Sequence, residues 1–113
     1  ATRHILDTMR SPNLKVIFDM SNLVSAENVD AQDRIWYDMG ALLGDQIVAV
    51  HFKGQAFAPD GSLLHTSLEE SRTDYAGAFA MLRQLPQPAL PVLREEAVPA
   101  RAASDIAFMK GFF

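Results

Sequence analysis

Two runs of consecutive apolar residues constrain this chain most: Val16-Ile17-Phe18 inside LKVIF (14–18), and IVAVHF (47–52). A strand with one wet face alternates apolar and polar residues, whereas an unbroken apolar run suits a parallel strand covered on both faces. A third such segment, from Val92 to Leu93 or Arg94, follows the connector PQPALP (86–91), which reads as extended. More than thirty residues separate each strand start from the next, enough for the crossover helix that parallel pairing requires.

The intervening segments supply those helices. Ile5, Leu6 and Met9 recur at helical spacing over residues 2–9, and Ser11-Pro12-Asn13 ends that helix. Residues 29–43 carry the stripe Ile35, Met39, Leu42 and Leu43, with Trp36 half-buried beside it. Asp30 and Asp33 favour its positive N-terminal end, and Gly44 suits its C′ position. Asp74 caps a helix whose face is Tyr75, Ala78, Phe79, Leu82 and Leu85. Pro99 opens a last helix on which Ala102, Ile106, Met109 and Phe113 share a face. Residues 53–73 read as a long loop with turn chemistry at APDGS (58–62), and loops of that length are commonly lids or disordered segments.

The predicted order is α-β-α-β-long loop-α-β-α, a right-handed parallel α/β arrangement without internal repeats. Three parallel strands leave both sheet edges bare. The chain also opens in a helix that would ordinarily follow an earlier strand, and without an initiator Met. The expectation is a single partial domain over residues 1–113, from a processed, tagged or truncated chain.

Composition excludes several function classes. The 113 residues are 49% apolar and 21% charged, a globular balance. Net charge is −4 without a Lys/Arg cluster, which disfavours nucleic-acid or anionic-membrane binding. Cysteine is absent, so disulfides and thiolate zinc sites are excluded and a cytoplasmic location is compatible. No apolar run reaches membrane-span length, and the N-terminus lacks a signal-peptide core.

Ligands of parallel α/β folds collect at the carboxyl ends of the strands. Asp19 ends the first strand, His51 ends the second, and Arg94-Glu95-Glu96 ends the third. An Asp, a neutral imidazole and a Glu converging there suit a divalent cation of the Mn, Mg, Co or Zn type. Such an ion polarises a carbonyl or hydroxyl oxygen while a carboxylate moves a proton. Each residue has a plainer reading. Asp19 caps the turn through Ser21 and Asn22; His51 is a satisfied core histidine; Arg94, Glu95 and Glu96 form a solvated charge run. Lys53 meets a substrate oxyanion or is solvated, and His4 and His65 are solvated.

The segments SPNLKVIFDMSNLVS, LLGDQIVAVHFKG, DYAGAFAMLRQL and LPVLREE together resemble the C-terminal part of a sugar phosphate isomerase/epimerase. That family belongs to the xylose-isomerase-like TIM-barrel superfamily, which also holds ketose 3-epimerases and endonuclease IV. The resemblance implies the last three strands of a (β/α)8 barrel. It also implies a divalent metal held by two glutamates, an aspartate and a histidine, with the glutamates as acid and base. Asp19 and His51 match the metal aspartate and histidine. Asn22 matches a substrate-contacting position, and Lys53 matches the lysine of an HxKD-like stretch.

Three positions depart from the family pattern. Gly54 replaces the aspartate after that lysine, and SLEES (67–71) lacks the family's glycines. An ungapped match of LPVLREE places Arg94 at the second metal glutamate, with Glu95, the candidate catalytic carboxylate, one residue late. The other glutamate belongs to an earlier strand. The implied function is metal-assisted proton transfer beside a carbonyl of a sugar or sugar phosphate, with the rest of the barrel or a partner chain, possible in a homo-oligomer, completing the site. The alternative is a non-catalytic sugar-binding protein in which Arg94 substitutes for the metal's charge. An endonuclease-like reading is opposed by the acidic balance and by the lack of histidines for a multi-zinc cluster.

Overall fold

The apolar runs form adjacent parallel strands. The computed structural model describes residues 1–86 and 89–113; Gln87 and Pro88 of the expected extended connector lie outside the described residues. The first helix, α1 (Thr2–Met9), precedes β1 (Val16–Asp19), α2 (Gln32–Leu43) and β2 (Ile47–Phe52). A short hairpin follows, β3 (Gln55–Phe57) and β4 (Leu63–His65), then α3 (Tyr75–Leu82), β5 (Val92–Arg94) and α4 (Ala102–Lys110). The fold is mixed α/β: an open parallel sheet in the order β1-β2-β5, flanked by helices.

Among the described residues, helices cover one face of this sheet. Phe18 on β1, and Val50 and Phe52 on β2, are fully buried against Trp36, Met39, Tyr75, Ala78, Phe79 and Met109 from the helices. Phe18 meets the Trp36 ring edge-on at 5.9 Å, and Phe52 packs on Tyr75 and Phe79 at 5.2 and 5.4 Å. On the opposite face Ile17 and Leu93 are 56% and 55% exposed. The continuous apolar runs thus belong to a sheet whose second face is open among the described residues.

Several local expectations need correction. The residues expected to form one long loop contain the antiparallel hairpin of β3 and β4, closed by Ala58–Ser62 with Gly61 at φ 84°. Leu63-Leu64-His65 is exposed throughout, so no buried face advertised β4 in the sequence. Trp36 is fully buried rather than half-buried, while Leu42 of the expected stripe is exposed. Helix α2 starts at Gln32 because Val29–Ala31 forms a 3-10 turn. Gly44 keeps right-handed dihedrals; its missing side chain instead admits the Leu85 side chain, 2.6 Å from where a Cβ would stand. On α4 it is Asp105, not Ile106, that faces inward with Met109.

Candidate metal centre at the sheet mouth

Strand register explains which side chains meet. Asp19 pairs with His51 across β1 and β2, and His51 pairs with Leu93 across β2 and β5. These positions share the open face, and Glu95, two residues beyond Leu93, returns to it. The Glu95 amide donates to the Phe52 carbonyl at 2.8 Å, so the pairing extends past the strand end. One ligand atom from each of Asp19, His51 and Glu95 lies within 4.8 Å of the other two. His51 Nδ1 is 3.1 Å from Glu95 Oε2. An ionised carboxylate only accepts, so Nδ1 donates in this contact, which in a neutral imidazole leaves the lone pair on Nε2.

Lys53 lies inside this cluster. Its Nζ is 3.4 Å from Asp19 Oδ2, 3.7 Å from Glu95 Oε2 and 3.6 Å from Glu96 Oε2, and it donates to Asn22 Oδ1 at 3.2 Å. Burial by itself would lower the Lys53 pKa; Asp19, Glu96 and Glu95 outweigh it and hold the ammonium above its ordinary range. Glu95 is held below the usual carboxylate range, first by the His51 hydrogen bond, then by the Lys53 charge, against an opposing desolvation contribution. Three carboxylates face one ammonium, leaving a surplus of negative charge while His51 is neutral.

The backbone of Lys53 is fixed from below. Its carbonyl accepts from Tyr75 Oη at 2.6 Å and from Ser21 Oγ, and Ser21 Oγ lies 2.9 Å from Thr73 Oγ1. Gln55 Nε2 ties the Ser21 and Val24 carbonyls to β3 at 2.8 and 2.9 Å. Burial pushes the Tyr75 hydroxyl pKa up, which keeps it a donor. Gly54 is required here: a Cβ would stand 2.1 Å from the Thr66 carbonyl oxygen. That close approach leaves no room for a side chain such as the aspartate from which Gly54 departs.

Asp19 turns out to serve as a cap and also to face the cluster. Its Oδ1 accepts from the Asn22 amide at 3.3 Å, and Asn22 Nδ2 donates to Oδ2 at 2.9 Å. Arg94 is not at the mouth. It sits opposite Phe52 on the covered face, where its Nε reaches Asp105 Oδ2 at 2.8 Å. The substrate contact expected of Arg94 is therefore replaced by an internal ion pair. The reason is strand alternation: with Leu93 beside His51, Arg94 must face the helices and Glu95 the site, without any slip or bulge in β5. The charge run is thereby split between two faces.

Glu96 was legible only as part of that run. Its backbone is left-handed, φ 51°, and its carboxylate meets both Lys53 and His65 Nδ1, the latter at 3.3 Å. His65, expected to be solvated, reaches the cluster's margin from β4 while remaining half-exposed. His4 is exposed as expected. In SLEES, Leu68 is buried and donates its amide to Asp105 Oδ1 at 2.9 Å. Asp105 was missed because its only sequence signal, an acid within a helical apolar stripe, resembles an ordinary surface position.

One imidazole and two carboxylates, on a site with surplus negative charge, match the donor preferences of Mn, Mg, Co or Zn. No protein-family model matches the chain, and neither a curated protein nor a solved structure matches it significantly.

Proposed function

We propose that Asp19, His51 and Glu95 are part of a divalent-metal centre for proton transfer at a carbon beside a sugar carbonyl, of the isomerase or epimerase type. The observation that carries this reading is their convergence within 4.8 Å at the carboxyl ends of three adjacent parallel strands. A bound divalent ion would polarise the substrate carbonyl. An Asp19 oxygen, a His51 ring nitrogen and a Glu95 oxygen would be the donors. Glu95, ionised beside His51 and Lys53, is the carboxylate assigned to take the proton on its position at the cluster, its lowered pKa making it a weaker base than an unpaired glutamate. Lys53 stands beside it as a cation for a sugar oxygen or phosphate, and Asn22 orients both Lys53 and Asp19.

The open sheet face, with Ile17 and Leu93, is read as interior surface of a (β/α)8 barrel whose remaining strands and second glutamate lie outside these 113 residues. The alternative of a non-catalytic sugar-binding protein relied on Arg94 at the mouth, and Arg94 is engaged with Asp105. The test is solvent exchange: full-length protein with Mn(II) should incorporate deuterium from D2O at the carbon beside the carbonyl of a ketose or ketose phosphate. Glu95→Gln should lower the rate at least a hundredfold. Equal exchange in the variant would defeat the assignment.

A further inference from the structure

The geometry points to Arg94 and Asp105 as a positioning pair that sets Glu95 for metal binding, an inference that rests on the proposed centre. Their contact is a buried ion pair, Nε to Oδ2 at 2.8 Å, with side chains 8% and 1% exposed. Both partners make further hydrogen bonds. Arg94 Nη1 donates to the Glu95 carbonyl and Nη2 to the Thr66 carbonyl at 3.2 Å, while Asp105 Oδ1 accepts from the Leu68 amide. One guanidinium therefore joins α4, the segment just after the hairpin and the peptide after Glu95.

That peptide matters because the regular strand ends at Arg94, and beyond it the hydrogen bond from the Glu95 amide to the Phe52 carbonyl continues the pairing by one residue. Glu96 takes a left-handed backbone that non-glycine residues seldom adopt. Glu95 must project across to His51 and Glu96 back to Lys53, from consecutive positions. The Arg94 fork holds the carbonyl between them. A planar five-donor guanidinium can bind a carboxylate and two carbonyls at once, which a lysine ammonium on a flexible stem does not reproduce. Groups behind a metal ligand commonly change affinity ten- to a hundredfold when removed.

The test compares the full chain with Arg94→Lys and with the double variant Arg94→Met/Asp105→Leu. The double variant removes both charges together, so it avoids an unpaired buried ion and is expected to fold. Co(II) alone is the probe, read by its visible absorption, alongside amide hydrogen exchange. Both variants should stay folded but melt below the parent, since the Glu95 and Thr66 carbonyls and, in the double variant, the Leu68 amide lose their partners. Both should bind Co(II) at least tenfold more weakly with an altered spectrum and exchange the Glu95 and Glu96 amides faster. Protection at Phe18 and Val50 should stay unchanged. Parent-like Co(II) affinity, or parent-like exchange at Glu95, in the folded double variant would overturn the inference. If the parent binds no Co(II), the metal reading fails separately, and amide exchange alone decides the positioning role.

Discussion

Lys53 carries more of the site's electrostatics than any other side chain. Its folded pKa is raised by carboxylate partners, so while those partners are ionised the stability it lends is complete below its ordinary 10.5, and it is lost as pH climbs through the folded value. Glu95 behaves oppositely. Its pKa is lowered from 4.5, so its contribution is present above that value and lost as pH falls through the folded one. Lys53→Met should therefore destabilise the chain by about 2 kcal/mol near neutrality, because three carboxylates lose their shared donor. Melting temperatures from about pH 3 to 8 should show the difference between parent and variant shrinking toward acid, as the carboxylates protonate. The same variant should bind Co(II) more tightly, since a competing positive charge is gone. A pH-independent difference would mean that Lys53 acts through packing alone. Asp19 and His51 were legible at this scale because strand ends are predictable places; Glu95 was named as the candidate carboxylate but Arg94 was set at the mouth with it, because an ungapped match cannot tell which of two neighbouring residues faces the site.

Elements place these residues through a few short contacts. Asp74 caps α3 by accepting from the Gly77 amide at 3.0 Å, as its position before an apolar helix predicted. The β3–β4 hairpin is tied back through Gly54, whose carbonyl accepts from Thr66 at 3.1 Å. Gly54→Ala should force that approach apart and cost several kcal/mol, whereas Asp74→Ala should cost about 1 kcal/mol. Urea unfolding of the two variants checks the order; equal losses would show that the hairpin adapts without strain. Helices and parallel strands were readable from periodicity and caps. The hairpin was not, because its strands are three residues long and β4 buries nothing. Asp105 was invisible for a related reason: its partner lies on another element, and helical spacing carries no record of it.

The whole molecule has one finished face and one open face. Helices seal Phe18, Val50 and Phe52 on one side, while Ile17 and Leu93 lead along the other toward Asp19, His51 and Glu95. No helix among the described residues is long and apolar enough to cross a membrane. The alternation of strand and helix was legible in the sequence, but the openness of the second face was not, since continuous apolar runs read as covered on both sides. The central claim is that the mouth of this sheet holds a divalent ion. Isothermal titration of the chain with Mn(II), beside Asp19→Asn, His51→Ala and Glu95→Gln, tests it most directly. One ion should bind per chain, with affinity reduced at least tenfold in each variant. No binding by the parent, or binding unchanged in all three variants, would contradict it.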